Sequence, residues 1–313
     1  MRTAFLFAGQ GAQYPGMGAG LAEASPAAAA VFAAADAARP GTREDCLSAT
    51  AEELARTQTT QPTVLAVDLA CARMLEEAGV RADAAAGFSL GEVGALAFAG
   101  VISDRIAFEL IARRARLMDD VARENPGGMR AVLGTPESGL RELIEDQGLK
   151  GLELVNFNAP TQIVVAGPDT ELEALGEALA SAGGRSVALS VSGAFHSSAL
   201  RPAAEGFAQV LSDLDFAPAR LSVYANVTGE AYPCAADQAK ALLARQISSP
   251  VQWVRTLENL AGDGITHFVE VGPGTVLAGL VRKTLPEAKV RSVGSADEVR
   301  AVAEELAGKE QAA

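Results

Sequence analysis

Three widely separated residues are of types that together could carry acyl chemistry. Gly87-Phe88-Ser89-Leu90-Gly91 is a G-x-S-x-G pattern set between a short apolar run and a helix-compatible run. A serine on so sharp a turn needs small residues two positions to either side. The turn lifts Oγ clear of a sheet and aims the next N–H, that of Leu90, where an oxyanion would form. The N-terminus of the following helix adds partial positive charge. Such a serine needs a base within hydrogen-bond reach, and the chain has two histidines, His196 and His267. His267 lies in an apolar run, 266–271, and reads as a packed or edge residue of a strand. His196 lies in the small-residue loop Ser192-Gly193-Ala194-Phe195-His196-Ser197-Ser198 and is the candidate base. The third residue is Arg114. On a helix running from Ser103 or Asp104 to about Arg123, Ile106, Leu110, Leu117 and Val121 fall within roughly 40° of one direction, and Arg114 falls inside that stripe. A guanidinium on a buried face needs an anionic or carbonyl partner. Either a structural Asp or Glu or the carboxylate of a substrate fits that need. On the pentapeptide alone, an ordinary Gly/Ser turn also stays open.

The elements that must position these residues can be read in order. Residues 4–8 form a buried-strand candidate, followed by Gly9-Gln10-Gly11, where two glycines allow close backbone approach. Residues 17–39 are alanine-rich and helical in propensity. Residues 61–79 read as a helix with Pro62 at its start and Gly79 as its stop. Gly127-Gly128 marks a boundary. Beyond it come strand 129–133, helix 137–147, strands 152–157 and 162–166, helix 170–182 and strand 186–191. That order, βαββαβ, is the ferredoxin-like unit, inserted before the chain returns to a main sheet. Asn156-Phe157-Asn158-Ala159-Pro160 reads as the turn between its central strands. A strand and turn at 224–229, a loop at 246–250, a helix at 251–261 and a closing helix at 276–285 complete the chain, and residues after Gly308 are expected to fray.

Composition bounds the rest. The 313 residues are 49% hydrophobic and 21% charged, enough for a sizeable core. No apolar run approaches the roughly 18 residues of a membrane span, and the apolar run 4–8 is too short for a signal-peptide core. A cytoplasmic protein is expected. Cys46, Cys71 and Cys234 are odd in number and lack metal spacing, so reduced structural thiols and no metal site are expected. A net charge of −13 argues against nucleic acid as partner.

Six segments stand in one order along nearly the whole chain: FAGQGAQ at 7–13, GFSLGE at 87–92, Arg114 with Leu117-Met118, GAFHS at 193–197, QISSPVQW at 246–253 and EVGPG at 270–274. Jointly they make the chain resemble malonyl-CoA:acyl carrier protein transacylases and the related acyltransferases of polyketide synthases, discrete trans-acting ones included. The resemblance implies an α/β fold: an α/β-hydrolase-like large subdomain (1–126 and 197–313) with an inserted ferredoxin-like small subdomain (127–196) ending at the catalytic histidine. It implies Ser89 as nucleophile, His196 as base, the main-chain carbonyl of Gln246 orienting His196, and the N–H groups of Gln10 and Leu90 as oxyanion hole. It further implies that Arg114 holds a malonyl carboxylate, with Asn158 and Gln61 near the pocket. Malonyl-CoA and a phosphopantetheinylated acyl carrier protein are the implied partners, acyl-CoA is a substrate, and no cofactor is bound. The chain departs from the family pattern at Phe88, where histidine is usual, and at Val93 and Gly94. Phe88 makes the wall beside the nucleophile apolar, and Ala194-Phe195-His196 resembles the motif of malonyl-selective acyltransferases. Arg113, Arg116, Arg282 and Lys283 are candidates for a basic patch facing an acidic carrier. A serine thioesterase or esterase would use the same Ser–His pair with water as acceptor. A non-catalytic docking module would form no ester at all.

Overall fold

The computed structural model describes residues 2–310. Its larger sheet is wholly parallel and built from β1 (Thr3–Phe7), β2 (Ala84–Gly87), β7 (Ser222–Tyr224), β8 (His267–Val271) and β9 (Lys289–Val293), in the order β7-β2-β1-β8-β9. All five residues of β1 are buried, as a central parallel strand covered on both faces requires. The smaller sheet is antiparallel and contiguous in sequence: β3 (Gly128–Leu133), β4 (Glu153–Ala159), β5 (Gln162–Gly167) and β6 (Arg185–Ala188), ordered β4-β5-β3-β6. Helices Glu137–Asp146 and Asp169–Ser181 complete the βαββαβ unit. The fold is therefore α/β, with one parallel and one inserted antiparallel sheet. Backbone pairing ties the small sheet to the body through β4: Phe157 N–H donates to the Val251 carbonyl and Val251 N–H to the Val155 carbonyl, both at 2.9 Å.

Four expectations are corrected. The long helix runs Thr57–Glu77, so Pro62 lies inside it rather than at its start. Proline removes the N–H that would reach the Gln58 carbonyl, yet the helix continues through it, and the Thr63 hydroxyl adds bonds to the carbonyls of Thr59 (2.8 Å) and Thr60 (3.1 Å) in the same turn. The run from Asn156 to Ala159 is strand, not turn; β4 continues through two register shifts and the turn shrinks to Pro160-Thr161. Strand β6 ends at Ala188, three residues early, which frees Leu189 and Val191 to line a cleft. Val276–Thr284 is not the closing helix: β9 and the helix Ala296–Glu310 follow it, the latter two residues past Gly308. Residues 311–313 lie outside the described ones.

Candidate active site

The nucleophile turn follows directly from sterics. β2 ends at Gly87 and the next helix begins at Gly91 (Gly91–Phe98). A Cβ on Gly87 would lie 1.9 Å from the Gly91 carbonyl carbon, and one on Gly91 would lie 2.3 Å from the Phe7 carbonyl oxygen. Only glycine permits strand, turn and helix to close so tightly. Ser89 sits between them at φ 52°, and His196 sits at φ 62°. They are the only non-glycine residues with positive φ among the described residues. Backbone strain of this kind collects at functional sites.

The two side chains meet. Ser89 Oγ and His196 Nε2 are 2.8 Å apart, and His196 Nδ1 is 2.9 Å from the Gln246 carbonyl oxygen. With Nδ1–H donating to that carbonyl, Nε2 is left as acceptor for the Ser89 hydroxyl. Burial, and then the Arg114 charge, lower the His196 pKa to about 4, so its neutral form predominates near neutral pH. The N–H groups of Gln10 and Leu90 make no hydrogen bond among the described residues.

Arg114 is fully buried on the helix Asp104–Glu124, whose N-cap is Ser103. Its fork has no carboxylate on it. Nη1 donates to Gln61 Oε1 (2.9 Å), and Nη2 donates to Ser89 Oγ (3.0 Å) and Gln246 Oε1 (2.7 Å). Desolvation brings its pKa down to about 10, with Glu92 opposing. The other end of the Gln246 amide donates to the Ser89 carbonyl (2.5 Å) and to Glu92 Oε2 (2.8 Å). Glu92 also accepts from Tyr232 and from Asn226 N–H. Burial raises its pKa to about 7 against the pull of those hydrogen bonds.

Sequence reading passed over Asn226. Its Oδ1 accepts from Ser89 N–H at 2.7 Å, and its Nδ2 donates to the Gly87 carbonyl at 2.6 Å. It thus clamps both sides of the strained turn. The signal was present in the Asn-Val-Thr-Gly run after β7, which reads as plain turn chemistry. Tyr232 and Glu92 were likewise passed over. Glu270 of the EVGPG segment has a separate task, accepting from Leu277 N–H (2.8 Å) and Ala278 N–H (2.9 Å) at the start of the helix Val276–Thr284.

A cleft of about 250 Å³ opens over Ser89, between the two sheets. Gln10, Gln61, Phe88, Asn158, Phe195 and His196 line it, with Leu189 and Val191 from the small subdomain and Val276 and Leu280 from the large one. Gln10 Nε2 and Asn158 Oδ1 are buried there without a protein partner. Phe88 packs edge-on against Trp253, ring centroids 5.3 Å apart. The structure thus brings together Ser89, His196, Gln246, Arg114, Gln61, Gln10 and Leu90, and puts Phe88, Phe195 and Asn158 on the cleft wall. His267 lies elsewhere, on β8, its Nδ1 2.9 Å from Thr266 Oγ1. Of the basic-patch candidates, Arg116 lies 3.7 Å from Asp120, and Lys283 donates to Gln162 Oε1 at 2.7 Å.

A strained Ser–His pair under two free N–H groups, on a parallel sheet carrying an antiparallel insertion, defines an acyl-transferring class of protein. The acyl transferase domain profile matches residues 4–309, and the chain belongs to that family. It is 36% identical over 306 residues to the malonyl CoA-acyl carrier protein transacylase of Bacillus subtilis, covering 95% of each chain. Its fold matches the crystal structure of malonyl CoA-acyl carrier protein transacylase from Clostridium perfringens with a TM-score of 0.93, at 33% identity over 99% of this chain and 98% of that one. It also matches a malonyl-transacylase solved in complex with its type II PKS acyl-carrier protein, with a TM-score of 0.92 and 32% identity over 97% of this chain and 100% of that one. Among the described residues, no helix is long and apolar enough to cross a membrane.

Proposed function

We propose that this protein moves a malonyl group from CoA to the phosphopantetheine thiol of an acyl carrier protein, in fatty acid or polyketide biosynthesis, through an ester on Ser89. The observation that carries this reading is the convergence of a base and a buried cation on one oxygen. Ser89 Oγ is 2.8 Å from His196 Nε2 and 3.0 Å from Arg114 Nη2. A guanidinium that close to the nucleophile suits an acyl group whose carboxylate lies one methylene beyond its carbonyl, and malonyl is that group.

The chemistry follows from the geometry. As Ser89 Oγ attacks the thioester carbon, its proton passes to His196 Nε2. The oxyanion accepts from the N–H groups of Gln10 and Leu90. His196 then gives the proton to the departing CoA sulfur, leaving malonyl-Ser89 and free CoA. The carrier thiol repeats the sequence in reverse, losing its proton to His196 as it attacks the ester; the proton returns to Ser89 Oγ. No metal, redox group or bound cofactor enters these steps. Gln246 takes the place of a triad carboxylate by fixing the His196 tautomer. The unpaired Gln10 Nε2 and Asn158 Oδ1 match the amides of a pantetheine arm. Phe88 and Phe195 set the width of the acyl pocket. In this reading the small subdomain spans 127–196 and the large one 1–126 and 197–313, with the active cleft at their seam. Three free cysteines support a reducing, cytoplasmic setting.

The test is intact-protein mass spectrometry. Malonyl-CoA should place one malonyl ester on the wild-type chain and none on Ser89→Ala. Holo carrier should discharge that ester, and apo carrier should not. Turnover indifferent to the carrier would assign the protein to hydrolysis instead, and absence of any ester would leave no enzyme at all.

A further inference from the structure

Three neutral oxygens occupy the fork of Arg114, and two of them belong to residues that line the cleft. Gln61 Oε1 sits on Nη1 at 2.9 Å and Ser89 Oγ on Nη2 at 3.0 Å, one on each terminal nitrogen. That is the arrangement in which a bidentate carboxylate places its two oxygens. Both residues line the cleft, so both acceptors lie where an entering ligand can replace them. The Gln246 Oε1 contact at 2.7 Å uses the remaining Nη2 hydrogen and can persist. Before substrate arrives, then, one lone pair of the nucleophile is held by a buried cation, and that same charge sits beside the base that must become an imidazolium.

We propose that the Arg114–Ser89 contact is a latch on the nucleophile that a carboxylate opens. A carboxylate on Nη1 and Nη2 displaces Gln61 Oε1 and Ser89 Oγ together. The freed Oγ keeps its hydrogen bond to His196, and the guanidinium charge is neutralised before the proton moves. This rests on the malonyl-transfer reading and deepens it. Arg114 selects malonyl by suppressing attack on acyl groups that carry no carboxylate, as well as by holding the group that does. A clamp alone predicts indifference of acetyl transfer to Arg114; a latch predicts active restraint of it.

Acetyl and formate together divide malonyl at its methylene, so formate is the probe. Rapid-quench mass spectrometry follows acetylation of Ser89 by acetyl-CoA, with sodium formate or with sodium chloride at equal ionic strength. Formate should accelerate acetylation of the wild type saturably, by roughly tenfold, the scale of one charge-assisted hydrogen bond. Arg114→Ala should acetylate faster than wild type without formate and should not respond to it. Formate that slows acetylation or leaves it unchanged overturns the latch, as does an equal response in Arg114→Ala. The wild-type arm decides the matter even if the variant does not fold. A wild-type chain that takes malonyl from malonyl-CoA but ignores formate refutes the latch alone; one that takes no malonyl refutes the functional reading beneath it.

Discussion

Asn226 offers the sharpest test of how the nucleophile turn is held. It is fully buried, and its side chain makes two short hydrogen bonds, from Ser89 N–H at 2.7 Å and to the Gly87 carbonyl at 2.6 Å. Asn226→Ala strands both backbone groups away from water. An unsatisfied buried group costs about 1–3 kcal/mol, so the pair costs about 2–6 kcal/mol, a large part of the roughly 5–15 kcal/mol that stabilises a domain. Asn226→Asp keeps the acceptor for Ser89 N–H and can face the Gly87 carbonyl only as the protonated acid, so its stability loss should grow as pH rises and the carboxyl must ionise. The turn should also relax from the strained φ of Ser89, carrying Oγ away from His196; a misplacement of about 1 Å is worth roughly 10²-fold in rate. Urea unfolding gives the first quantity, and rapid-quench malonylation of Ser89 gives the second. An Ala variant that loses less than about 1 kcal/mol and malonylates at the wild-type rate would show that the glycines alone hold the turn, and the argument would be wrong.

Other outcomes follow from the same geometry. A Cβ on Gly9 would lie 2.8 Å from the Phe88 carbonyl oxygen and 2.9 Å from its Cδ1. Gly9→Ala should therefore displace the adjacent Gln10 N–H and lower kcat by about 10²–10³, the cost of one oxyanion donor; an unchanged kcat excludes Gln10 from that role. Burial and the Arg114 charge both disfavour the His196 cation, so its proton leaves at lower pH and the base form prevails above about 4. The acid limb of malonylation kcat/KM should accordingly fall near pH 4. A limb near the ordinary histidine value of about 6.5 would contradict that environment. Removing the charge in Arg114→Ala should move the limb upward.

The sequence made the Ser89 turn, the βαββαβ insertion and the choice of His196 legible because each rests on local chemistry: a glycine spacing, a change of hydrophobic period, a short list of bases. Arg114 was legible as a buried cation from its helix stripe, but its resting partners were not. Neither an Asp or Glu nor a carboxylate occupies the fork; Gln61, Gln246 and Ser89 do, from elements far apart in the chain. Asn226, Glu92 and Tyr232 stayed hidden for the same reason. Their roles exist only once β7 pairs with β2 and the segment before Trp253 folds over both. Pro62 and the Asn156–Ala159 stretch misled because tertiary satisfaction overrode local propensity. The buried packing of the helix Thr57–Glu77 carried it through its proline, and β4 pairing with β5 straightened the other.

The place of β1 in the large sheet bears on how the molecule is born. β1 needs β2 on one side and β8 on the other, yet about 180 residues separate β2 from β8 along the chain. At synthesis rates of roughly 5–20 residues per second, one edge of β1 waits on the order of ten to thirty-odd seconds for its neighbour. The insertion, whose four strands lie together between residues 128 and 188, is fully translated well inside that interval. A nascent chain therefore carries a complete ferredoxin-like lobe beside a half-built parallel sheet with a bare apolar flank, the state in which a ribosome-bound chaperone has the most surface to shield.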